Sequence, residues 1–126
     1  MNILEYLKRN ILVFDGGMGT LLQREGLSAG ELPERWNLTH PDVIRRVHTQ
    51  YYAAGSRVVS ANTFGANCLK FSPAELTEIV EAALSHAKWA RKQVYGDEAA
   101  FVAFDMGPTG KLLKPYGDLD FEDAVA

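Results

Sequence analysis

The sequence predicts an α/β fold with parallel strands and right-handed crossovers, and three observations lead there. Short apolar runs alternate with stretches of helical periodicity. The runs begin 46 and 43 residues apart, which leaves room for a helix in each crossover. The first run, Ile11 to Phe14, is apolar throughout rather than alternating, the pattern of a strand buried on both faces.

Each element has its own signals. A short helix is expected around Asn2 to Lys8. The strand Ile11–Phe14 follows, stopped by Asp15-Gly16-Gly17, and a second short helix runs from about Met18 to Arg24. Trp36 is placed in a loop between helices, with core contact favoured over lining a pocket. Thr39 or His40 precedes Pro41, and proline is favoured in a helix's first turn. Ile44, Val47, Tyr51 and Ala54 then mark one face, and Gly55 ends the helix as its C′ residue. The second strand is read over Arg57 to Ala61. Ser72-Pro73-Ala74-Glu75 has the capping-box pattern, and the helix after it carries Leu76, Ile79, Val80, Ala83, Ala87, Ala90 and Val94 on one side up to Gly96. The third strand is Ala100 to Phe104, stopped by Asp105. Asp118 or Asp120 caps a last helix beginning near Phe121. Because that helix opens so close to Ala126, the chain is expected to be part of something longer.

Composition narrows the function. A length of 126 residues fits one domain. Thirteen Lys+Arg against sixteen Asp+Glu give a charge of −3, so no basic excess favours a nucleic-acid partner. The longest apolar run, Ala99 to Phe104, is six residues, far below the roughly 20 of a membrane span. Lys8 and Arg9 precede only four apolar residues, too few for a secretory signal core, so a cytoplasmic location is expected. One cysteine, Cys68, allows no intrachain disulfide and no cysteine-based zinc cage from this chain alone. His40, His48 and His86 have no metal-ligand spacing, and His48 and His86 read as surface or interhelix residues.

The candidate chemistry lies at the strand ends. Asp15, Asn62 and Asp105 follow the three apolar runs, and parallel α/β folds bind ligands at the carboxyl ends of their strands. The same residue types also suit turns and caps. Asp15-Gly16-Gly17-Met18-Gly19-Thr20 is a glycine turn directly after a strand. It lacks the Lys-Ser/Thr of a phosphate loop and the spacing of a dinucleotide fingerprint. A carboxylate beside free backbone N–H groups suits a ligand with both an ammonium and a carboxylate, as an amino acid has. A tight turn needed only for geometry gives the same sequence.

Asp15-Gly-Gly-Met-Gly-Thr, Asn62-Thr63-Phe64-Gly65-Ala66-Asn67 and Gly107-Pro108-Thr109-Gly110, in this order, resemble the homocysteine-binding S-methyltransferase domain. The likeness is greatest to the N-terminal module of the cobalamin-dependent methionine synthases. Leu32-Pro33-Glu34-Arg35-Trp36-Asn37 and His48-x-x-Tyr51-x-x-Ala54-Gly55 fit the same pattern. The resemblance implies the N-terminal part, about three β/α units, of a (β/α)8 TIM barrel. It implies that residues 1–126 are a fragment of a single homocysteine-binding domain. It also implies a reaction, methyl transfer to the homocysteine thiolate to give methionine.

The substrate-binding residues carried over by the resemblance are Asp15, facing the substrate ammonium, Gly16 and Gly17 beside it, and Asn62 and Thr63 at the end of the second strand. Asp105 falls at a variable position. Ser60-Ala61 stands where many members have an acidic residue or a threonine. Zinc is implied for the parent enzyme, on cysteines outside this chain, with cobalamin and methyltetrahydrofolate reached through other modules. No cofactor is expected within the chain itself. The alternative is a catalytically inactive fragment that acts only as a binding or self-associating module.

Overall fold

Proline opens both long helices, and a side-chain cap precedes the second of them. The computed structural model describes residues 1–126. In it Pro41 stands at the start of α4 (Pro41–Ala53) and Pro73 at the start of α5 (Pro73–Tyr95). Ser72 caps α5 by accepting the Glu75 N–H at 3.3 Å. The reciprocal half of the capping box is replaced, because the Glu75 carboxylate pairs with Arg35 at 2.8 Å. Gly55 follows α4 with a φ of 111°, the left-handed C′ geometry. The shorter helices are α1 (Ile3–Leu7), α2 (Gly19–Arg24), α3 (Trp36–Thr39) and α6 (Phe121–Val125), with a 3₁₀ turn at Pro33–Arg35.

Two parallel strands, β1 (Val58–Ser60) and β2 (Phe101–Ala103), pair with Val58 opposite Phe101 and Ser60 opposite Ala103. The expected first strand shrinks to one bridge, Phe14 against Val58, also parallel. The segment still bonds to β1: Val13 O accepts the N–H groups of Arg57 and Val58, and Asp15 N–H donates to Val58 O. Nothing pairs with its other side, and Ile11 is 86% exposed, so the apolar run is an edge rather than a strand buried on both faces. The layer order is thus the Phe14 segment, β1, β2, with β1 central.

The helices bury one face each. Leu22, Leu27, Trp36, Ile44 and Val47 form one core cluster. Tyr52, Val59, Ala87, Ala90 and Ala100 form a second, between α4, α5 and the strands. The buried face of α4 is rotated from the expected one: His48 and Tyr52 are buried, whereas Ala54 is exposed. Tyr52 can turn inward because its hydroxyl donates to Phe101 O at 2.7 Å. His48 and His86 are both interior. Trp36 lies in the core as expected, though it opens α3 rather than sitting in a loop, while Trp89 is 41% exposed with the Arg45 guanidinium over its ring. No helix is long and apolar enough to cross a membrane.

Candidate functional site

The carboxyl ends of the Phe14 segment and β1, with the start of the chain after β2, enclose a cleft of about 350 Å³. Its wall is Phe14 to Gly19, Pro33, Glu34, Ser60 to Asn62, Phe64 and Asp105. Asp15 enters it because the chain leaves Phe14 at the sheet edge and turns at once. One carboxylate oxygen, Oδ2, accepts the Ser60 N–H at 2.9 Å. Burial raises the Asp15 pKa above the ordinary carboxyl value, hydrogen bonds from Ser60 oppose the rise, and the Asp105 charge adds to it.

The glycine turn is clamped from α4. The Tyr51 hydroxyl donates to Gly17 O at 2.7 Å, and a Cβ on Gly16 would sit 3.0 Å from the Tyr51 hydroxyl oxygen. The backbone N–H groups of Gly16, Gly17 and Met18 are bonded to no backbone carbonyl.

Asn62 and Thr63 have different surroundings. Asn62 lines the cleft, but its amide N–H₂ is spent on Pro33 O at 2.9 Å and Asn37 Oδ1 at 3.0 Å. It therefore fixes the Pro33–Asn37 segment against the end of β1. Thr63 is buried and does not line the cleft. Its hydroxyl donates to Asp105 O at 2.7 Å and accepts Asp105 N–H at 3.1 Å, joining the ends of β1 and β2. Asp105, half-buried, stands on the cleft wall. Gly107 closes against this strand end, with a Cβ there falling 2.3 Å from Phe64 O, so the backbones approach where only glycine fits.

Glu34 is a site residue that sequence reasoning did not single out. It is 4% exposed and lines the cleft. Its Oε1 accepts the Gly65 N–H at 2.6 Å, while Oε2 is buried without a partner. The only available signal was its place between Pro33 and Trp36. Tyr51, read as part of an apolar helix face and of the family pattern, was likewise missed as the clamp of the turn.

The cleft holds three acids, Asp15, Glu34 and Asp105, and no Lys, Arg or His. Such a wall favours a cation, and the free amides of the glycine turn offer a place for an anion beside it. A zinc site does not fit these residues: Cys68 is exposed, and no three His, Cys, Asp or Glu side chains lie close enough together to hold a metal ion.

The chain is 31% identical over 123 residues to methionine synthase of Mycobacterium tuberculosis and 30% identical over 122 residues to that of Mycobacterium leprae. Each alignment covers 88% of this chain and 10% of the relative, so the chain spans about a tenth of those proteins. Among solved structures, the homocysteine methyltransferase MmuM of Escherichia coli in its oxidized form superposes with a TM-score of 0.75 at 25% identity, over 87% of this chain and 42% of that one. Its metallated form gives a TM-score of 0.74 at 22% identity, over 84% and 41%. The homocysteine S-methyltransferase family profile matches residues 12–126, nearly the whole chain, and the chain belongs to that family.

Proposed function

We propose that this chain supplies the amino-acid-binding part of a homocysteine S-methyltransferase site, as the first three β/α units of a (β/α)8 barrel. The observation that carries the reading is Asp15, held by Ser60 N–H beside the free amides of Gly16 and Gly17 in a cleft without a basic residue. Asp15 meets the substrate ammonium, and the amides of the turn meet its carboxylate. Asn62 and Thr63 hold the cleft wall in shape.

The reaction forms a bond between the homocysteine sulfur and a methyl carbon, breaks the methyl–donor bond and requires the thiol proton to leave. Carboxylates beside a thiol would raise its pKa rather than lower it. The acidic cleft therefore suits the amino-acid end of the substrate, and activation of the sulfur falls to groups beyond this chain. The zinc, cobalamin and folate implied by the family belong there too, in further segments of a longer cytoplasmic protein.

Asp15→Asn in the full-length protein tests the reading. The asparagine Oδ1 can still accept the Ser60 N–H, so the turn survives. Loss of the charge-assisted bond, roughly 1.5–3 kcal/mol, should weaken homocysteine binding about tenfold to a hundredfold by calorimetry. Stability should not suffer. A carboxyl whose folded pKa is raised above 3.8 stabilises the fold less as pH rises through that value, so at neutral pH the ionised Asp15 is a cost that asparagine removes. An unchanged dissociation constant in a folded variant would leave Asp15 a turn former only.

A further inference from the structure

We propose that Glu34 is a specificity-determining residue that, with Asp15, makes the cleft select a ligand bearing an ammonium group; this rests on the reading above. Two facts about the side chain carry it. Glu34 is 4% exposed, yet only one of its carboxylate oxygens has a partner, the Gly65 N–H at 2.6 Å, and Oε2 is buried with none. Buried carboxylates are normally satisfied by several donors or by a cation.

Gly65 shows that the close approach is built into the chain. A Cβ there would lie 2.6 Å from Glu34 Oε1, so the glycine of Asn62-Thr63-Phe64-Gly65 leaves room for the carboxylate that arrives from the Pro33–Arg35 turn. Glu34 is thereby fixed on the cleft wall, where every charged side chain is an acid and no protein cation offsets it. A positively charged ligand supplies the missing counter-charge. An amino acid does so through its ammonium, and the same molecule without the amino group does not.

The test compares two ligands that differ only in that group, L-homocysteine and 4-mercaptobutanoic acid, titrated calorimetrically into the full-length protein and its variants under reducing conditions. Wild type should bind homocysteine more tightly. Glu34→Gln keeps an oxygen for the Gly65 N–H and removes the charge, and it should raise the homocysteine dissociation constant about tenfold, the scale of one charge-assisted contact. It should leave that of 4-mercaptobutanoic acid unchanged. Gly65→Ala, which pushes the carboxylate aside without altering it chemically, should shift homocysteine in the same selective way.

Equal weakening of both ligands would make Glu34 a loop support and overturn the proposal. So would no change in either ligand. Wild type binding homocysteine while Glu34→Gln is indifferent would sink this inference alone. Wild type binding neither ligand would sink the functional reading with it.

Discussion

Thr63 shows how a single hydroxyl sets the geometry of the cleft. It bonds both backbone groups of Asp105, 42 residues away, at 2.7 and 3.1 Å. Thr63→Val keeps the shape and removes both bonds, leaving two partly buried backbone groups unsatisfied. The expected loss is about 1–3 kcal/mol, read as a lower urea midpoint with an unchanged denaturant slope. Thr63→Ser, which keeps the hydroxyl, should recover most of it. Full stability in Thr63→Val would show that the strand ends are held by the sheet alone. At this scale the sequence reveals residue types but not directions. Asp15 and Asn62 are legible because each follows an apolar run at a strand end. Whether Asn62 and Thr63 face a ligand or a neighbouring backbone depends on long-range partners at Pro33, Asn37 and Asp105. Glu34 is harder still, since its burial comes from a contact 31 residues away and no local pattern marks it.

Between α4 and α5 lies a polar seam in an otherwise apolar contact. Arg45 Nε donates to His86 Nδ1 at 3.1 Å, which leaves Nε2–H to donate to Asn37 O at 2.8 Å. Asn37 in turn donates to Asn62 O at 2.9 Å, so the seam runs from the helix interface to the cleft wall. His48, fully buried beside it, has no partner on either ring nitrogen. Burial, with the nearby His86 adding to it, lowers the His48 pKa from 6.5 to about 4.

The sign of the linkage follows. Between pH 6.5 and about 4 the unfolded chain binds a proton at His48 that the folded chain refuses, so stability present above pH 6.5 is lost as pH falls through this window. The loss amounts to about 3 kcal/mol if the whole shift is expressed. His48→Leu, similar in volume and with no nitrogens to satisfy, should flatten that part of the stability–pH profile relative to wild type. At pH 7 it should be no less stable. Parallel profiles for the two proteins would mean that His48 opens to water when it titrates. The two long helices were legible, because Pro41, Gly55, Ser72 and the apolar spacing are local signals, whereas α3 lay in a stretch read as loop. The roll of α4 was not, since Tyr51 and Tyr52 offer the same side chain to either neighbouring face until Phe101 O and the interior of α5 are placed against them.

For the whole molecule, alternation of strand and helix was enough to establish the α/β class, because each crossover needs a helix whatever the sheet becomes. What could not be read was the fate of the first strand, which depends on whether anything pairs with its free side. Here nothing does. Two edges remain, one along the Phe14 segment and one along β2, and none of the β2 residues is fully buried. Near them Phe14, Phe104 and Met106 are exposed, as are Leu112, Tyr116 and Phe121 beyond β2. The solved relatives are more than twice as long as the matched region, which covers 41–42% of them, and a closed barrel has no edges to protect.

An apolar edge without a covering segment favours pairing between copies. The 126-residue chain on its own should therefore self-associate in light scattering at micromolar concentration, or else show a weak near-UV circular dichroism signal. Fusing it to the part of a solved relative that lies beyond the matched region should give a monodisperse species with cooperative unfolding. A rigid, monodisperse monomer from the 126-residue chain would contradict this, because the two buried clusters, one around α2, α3 and α4 and one between α4, α5 and the strands, would then suffice for a stable fold with both edges open to water.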